Sequence, residues 1–195
     1  MYYVVKYNGQ FGFIKPWTAV RDNKTYSQQF LTPSIVEGME KKLFPDMLDK
    51  KGSIERIARH KLQYGGISEQ AETTCTRGLT KLPRTQLVTR GSVKSGVINF
   101  APLTRGVMIN PVLYLAFYNE CDAKEAAKQH LCLCRNEDVM LPNEGVIEMT
   151  EQEFDALEGF ELRFDESEHS FPVGYCRYDG KLKTGRIENN GIALG

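Results

Sequence analysis

The order in which hydrophobic periodicity changes along the chain limits the folds open to it. Residues 2–7 and 11–17 are rich in aromatic and β-branched side chains around an Asn8-Gly9 turn signal, which predicts a strand with a hairpin-like continuation. After them Thr32 can cap a helix, Pro33 suits its first turn, and Ile35, Val36, Met39 and Leu43 recur at helical spacing. That helix is expected to stop before Pro45. Residues 54–62 predict a second strand. Residues 106–117, with Val107, Ile109, Val112, Leu113, Leu115 and Phe117, predict a third, in which Pro111 implies an edge position or a bulge. Asp122 followed by Glu125 is a capping-box pattern for a helix over 123–130, and Leu131-Cys132-Leu133-Cys134 predicts a returning strand. Strand, helix, strand, strand, helix, strand is the order of an α+β, ferredoxin-like (split βαβ, RRM-like) domain, whose sheet is a common platform for RNA.

Two segments lie outside that frame. Residues 63–104 are rich in Gly, Thr, Ser and Arg with little helical periodicity, and read as a long, extended insertion. Further on, Thr150 and Glu153 form a second capping box, opening a short acidic helix before a strand over 160–164, and the tail 191–195 reads as loosely held. A chain of 195 residues with 41% hydrophobic and 26% charged residues can bury one core, so residues 1–195 are expected to form a single domain.

The formal net charge of zero conceals a polarity along the chain. Residues 1–50 carry 7 Lys+Arg against 5 Asp+Glu, residues 51–105 carry 10 against 3, and residues 106–195 carry 8 against 17. The insertion is therefore basic, and residues 137–195 form an acidic C-terminal extension. No apolar run is long enough to span a bilayer, and the start MYYVVKYNGQ lacks the basic segment and apolar core of a signal peptide. The five cysteines, Cys75, Cys121, Cys132, Cys134 and Cys176, include no CxxC pair and suit reduced thiols. A cytoplasmic protein without membrane association or disulfides is expected.

Cations that neutralise phosphates, with flat side chains for stacking, are what single-stranded RNA binding requires. The insertion and its edges supply Arg59, His60, Lys61, Tyr64, Arg77, Lys81, Arg84, Arg90 and Lys94. A second basic and aromatic group near the N-terminus comprises Lys15, Trp17, Arg21, Lys24 and Tyr26. A solvated loop, and a core position for Trp17, are the alternatives. His130, Cys132 and Cys134 alternate and would share one side of a strand, yet the stronger zinc spacings are missing, so neither a metal nor another cofactor is expected. Metal-independent RNA cleavage would need a base and a cation, for which His60 with Lys61 and Tyr64, or Lys128 with His130, are the pairs to consider.

The stretch from Thr25-Tyr26-Ser27 through Thr32-Pro33-Ser34-Ile35-Val36-Glu37-Gly38 to Leu43-Phe44-Pro45 resembles the fifth Cas family of the RAMP superfamily. Gln63-Tyr64-Gly65-Gly66 is similar to part of that family's hairpin, and residues 103–117 to its core strand, so the resemblance covers roughly the first 120 residues. It implies a ferredoxin-like domain with a projecting basic β-hairpin thumb at 63–104. It also implies a subunit of a Cascade-type CRISPR effector that holds the 5′ handle of CRISPR RNA and docks on the backbone and large subunits. Members that process precursor RNA carry a tyrosine where this chain has Phe44, and a phenyl ring has no proton to exchange. A binding subunit without catalytic residues is the expectation. A repeat-processing endoribonuclease, a phage-encoded mimic of the fold, and a module that contacts only proteins are the alternatives.

Overall fold

The computed structural model describes residues 1–16, 23–80, 89–90, 93–94, 97–143, 145–163, 167–175 and 180–190. Its elements run β1 (Tyr2–Asn8), β2 (Phe11–Gly12), β3 (Lys24–Tyr26), α1 (Pro33–Leu43), a 3₁₀ turn (Pro45–Met47), β4 (Ile57–Gln63), β5 (Gly66–Thr80), β6 (Thr89–Arg90) and β7 (Val93–Lys94). They continue with β8 (Val97–Ile109), β9 (Val112–Phe117), α2 (Glu120–Ala126), β10 (Leu131–Cys132), β11 (Val139–Pro142), β12 (Ile147–Met149), α3 (Glu151–Ala156), β13 (Gly159–Arg163), β14 (Phe171–Tyr175) and β15 (Leu182–Asn190). The fold is a mixed α and β one with few helices and a mostly antiparallel sheet.

The main sheet has the order β10-β11-β1-β9-β4-β13-β15-β14, with β12 also pairing β1. Alternation of side chains decides what each face buries. Val5 and Tyr7 on β1 and Leu113, Leu115 and Phe117 on β9 point to the face covered by Val36, Met39 and Leu43 of α1 and Ala123 and Ala126 of α2. The Tyr7 hydroxyl donates to the Ala126 carbonyl at 2.8 Å, which ties strand to helix inside that layer. On the other face Val4 and Ala116 meet Phe154 of α3, a smaller second core.

A second sheet carries the insertion. β5 and β8 pair antiparallel from Gly66 opposite Ile109 to Thr80 opposite Val97, with a register shift between Cys75 and Leu79. The other edge of β8 is taken by β2, antiparallel, and by β3, parallel, with Lys24, Thr25 and Tyr26 opposite Thr104, Arg105 and Gly106. Within the insertion, β5 and β8 thus form a long antiparallel pair, here called the hairpin, whose Gly66–Ile109 end is held in a sheet.

Several local expectations change. The strand expected over 106–117 is two strands, β8 and β9, separated at Asn110, whose φ of 48° is left-handed. Pro111 lies in that turn, its carbonyl accepting from the Gly9 amide at 2.9 Å, so β9 runs in the middle of the sheet instead of at an edge. The hairpin expected after Asn8-Gly9 does not form between β1 and β2, because β2 pairs with β8. The second helix starts at Glu120 after Asn119, not after Asp122, and ends at Ala126 instead of reaching residue 130. Asp122 instead accepts from the Asn119 side chain at 3.3 Å. The returning strand is only Leu131–Cys132, and β11 takes the place beside β1. Thr32 and Pro33 do open α1, which ends before Pro45, although the Thr32 side chain makes no capping bond. The Thr150–Glu153 capping box forms in full. Residues 137–190 supply β11–β15, so the acidic part is woven into the main sheet. The tail 191–195 lies outside the described residues.

Candidate nucleic-acid interface

The residues picked out by charge divide sharply by burial. On β4, Arg59, His60, Lys61 and the following Tyr64 are at most 9% exposed, which leaves them almost no surface to offer a polynucleotide. The acidic C-terminal strands explain why cations tolerate that burial. Arg59 Nε donates to Glu161 Oε1 at 2.9 Å and its Nη2 to Glu161 Oε2 at 2.5 Å, with Asp155 at 2.6 Å and the Phe154 ring 4.7 Å away. Burial works against the Arg59 charge, but the Glu161 and Asp155 carboxylates hold its pKa above the ordinary value.

Lys61 points to the same face and closes α3. Its Nζ donates to the carbonyls of Phe154, Asp155 and Leu157 at 3.0, 2.9 and 2.7 Å, placing a cationic donor at the C-terminal end of the helix. Burial lowers the Lys61 pKa. His60 points the other way, into the helix-covered core, where burial pushes its pKa down to about 4 and leaves the imidazole neutral at physiological pH. Tyr64 stacks on Phe160 with ring centroids 5.9 Å apart. These four residues are buried, which local sequence does not signal, because β4 shows three consecutive polar residues on a strand buried on both faces.

Asp155, Glu161 and Glu188 bring carboxylate oxygens within 4.8 Å of one another, a spacing that could suit a cation. Arg59 and Arg163 already occupy that space: Arg163 reaches Asp155 at 2.9 Å and Glu188 at 2.8 Å. The group is a salt-bridge network. His130, Cys132 and Cys134 do lie outward on alternate positions while Leu131 and Leu133 are buried.

Of the remaining candidates, only some lie among the described residues. Lys15 is exposed, Arg77 falls on β5, Arg90 on β6 and Lys94 on β7. Trp17, Arg21, Lys81 and Arg84 lie outside the described residues. At the hairpin base Tyr26, Gly106 and Glu69 form one row across β3, β8 and β5. The Tyr26 ring lies over Gly106, and its hydroxyl donates to Glu69 Oε1 on the far strand. Lys24 Nζ meets the same Glu69 oxygen at 2.5 Å, which raises the Lys24 pKa and lowers that of Glu69. Tyr26 is nevertheless 48% exposed.

The opposite side of the hairpin base holds a cleft of about 310 Å³ lined by Phe11, Gln70, Glu72, Arg105, Arg135 and Asp138, among others. Arg105 and Arg135 stand 5.6 and 5.3 Å from the buried Phe13 ring, and Asp138 holds Arg135 through both carboxylate oxygens at 2.7 and 2.8 Å. Neither arginine was singled out in the sequence. Arg105 could have been, since it closes the basic block and falls opposite Gln70 in the hairpin register.

No family model matches the chain, and no curated protein matches it. The fold is similar to that of a chain in a CRISPR RNA-guided surveillance complex. That likeness has a TM-score of 0.52 at 10% sequence identity and covers 97% of this chain and 90% of the other. At such low identity it establishes a shared fold. Among the described residues, no helix is long and apolar enough to cross a membrane.

Proposed function

We propose that this chain is a non-catalytic RNA-binding subunit of a Cascade-type CRISPR effector, holding the 5′ handle of the guide RNA and docking on the backbone subunit. The observation that carries the reading is the long β5–β8 antiparallel pair, which carries the part of the basic block after β4 on a sheet separate from the main one. In this reading Arg77, Lys81, Arg84, Arg90 and Lys94 act as its phosphate contacts, Lys24 and Tyr26 contribute from β3 at its base, and Lys15, Trp17 and Arg21 complete the set. The order β11-β1-β9-β4 supports a ferredoxin-like, RAMP-type core, since it places the fourth, first, third and second strands of a βαββαβ unit side by side. The shared fold with a chain of an RNA-guided complex supports it further.

The burial of β4 weakens the ribonuclease alternative. His60 is held neutral in the core and Lys61 is committed to three carbonyls, so neither is placed to act on a phosphodiester. Phe44, at the position where processing relatives carry a tyrosine, packs edge-on to Phe117 at 6.0 Å inside the core.

The experiment is retention of RNA by the protein co-expressed with its neighbouring subunits and a repeat array. Guide RNA with an intact 5′ handle is expected to co-purify. Intact complexes that assemble without this chain contacting RNA by crosslinking would overturn the reading. Labelled repeat RNA incubated with the purified protein in chelator should stay uncut.

A further inference from the structure

Most exposed aromatic side chains are free to rotate, and Tyr26 is not. Its ring crosses β8, which lies between β3 and β5, and only a glycine lets it do so. A Cβ at Gly106 would fall 2.2 Å from Tyr26 Cδ1 and 2.9 Å from both Cγ and Cε1. Under the ring there is backbone, and at its far edge Glu69 accepts the hydroxyl proton. Lys24 pairs with the same Glu69 oxygen and lies over the Tyr26 ring, so the anchoring carboxylate is neutralised by a half-exposed ammonium. The result is a flat π surface fixed against Gly106 and at its hydroxyl edge, still about half exposed, with the Lys24 ammonium 5.4 Å from the ring centroid.

We infer that the exposed part of the Tyr26 ring is a stacking seat for one unpaired base of a single-stranded RNA, with Gly106 and Glu69 as positioning residues. The inference rests on the RNA-binding reading above and adds to it a defined base subsite. A ring already immobilised loses little rotamer freedom when a base stacks on it, which is the advantage of a preorganised contact. A phosphate beside the stacked base would meet Lys24. Without Lys24, Glu69 would repel the strand it helps to seat.

The test uses the full chain and short single-stranded RNAs in which 2-aminopurine, or an abasic nucleotide, is walked through the strand. With the parent protein, 2-aminopurine is expected to be quenched at one position, and an abasic nucleotide there should weaken binding roughly 5- to 150-fold. Tyr26→Ala should lose the same factor, abolish the quenching, and show no further loss on the abasic strand. Tyr26→Phe should keep the quenching with weaker binding. Gly106→Ala should reproduce the Tyr26→Ala result; if it melts without cooperativity, the Tyr26→Ala and abasic pair decides alone. A Tyr26→Ala protein that binds every strand as the parent does overturns the seat. That outcome leaves the RNA-binding reading standing if the hairpin cations are still required, whereas a parent that binds no RNA removes both.

Discussion

Arg59 on β4 and Glu161 on β13 stand 102 residues apart in sequence and meet in a two-bond ion pair, at 2.9 and 2.5 Å, inside the main sheet. The pair joins the basic block to the acidic C-terminal part. Part of the charge polarity along the chain is therefore spent internally. Replacing Glu161 by Gln leaves a buried guanidinium with Asp155 alone. A loss of about 3–5 kcal/mol in urea unfolding is expected, and a double variant with Arg59→Met and Glu161→Leu should recover part of it. A single variant as stable as the parent would mean that the pair does not hold the strands together.

His60 makes stability fall with acid. Its unfolded pKa is the ordinary 6.5 and its folded pKa is lowered to about 4 by burial, so between those values the unfolded chain binds a proton that the folded one refuses. Stability is full above pH 6.5 and is lost toward pH 4, by up to about 1.4 kcal/mol per pH unit. His60→Gln should flatten the unfolding curve over that window relative to the parent. Parallel curves for the two proteins would contradict the burial of this imidazole.

Gly159 links α3 to β13 with φ of 130°, and a Cβ there would come 2.8 Å from the Leu62 carbonyl oxygen. Both terms oppose any side chain, one through the backbone conformation and one through a strand that cannot retreat. Gly159→Ala should cost more than about 1 kcal/mol in thermal or urea unfolding. A neutral substitution would show that β13 can shift away from β4.

The helix boundaries of α1 and α3 were legible because local chemistry decides them. Thr32-Pro33 opened α1, Pro45 followed its end, and the Thr150–Glu153 box opened α3. What could not be read was whatever depends on a distant partner. Arg59 and Lys61 look like surface cations until Glu161 and the end of α3 arrive about a hundred residues later. Pro111 looks like an edge signal because nothing local says that it sits in a turn whose carbonyl serves Gly9. Gly106 and Glu69 carry no signal at all, since their importance comes from lying in one row with Tyr26 across three strands.

The most direct test of the central claim is the salt dependence of binding to RNA carrying a repeat-derived 5′ handle, measured for the parent and for a variant with Arg77, Lys81, Arg84 and Arg90 all replaced by Ala. Phosphate contacts release counterions, so the parent's affinity should fall steeply as salt rises, and the variant should bind more weakly with a slope reduced by about one contact per residue lost. Its melting should stay close to the parent's, since exposed charges away from caps and buried pairs change stability by about 0.5 kcal/mol or less each. Parent affinity that is equal at low and moderate salt, or a variant that binds as tightly as the parent, would contradict the account.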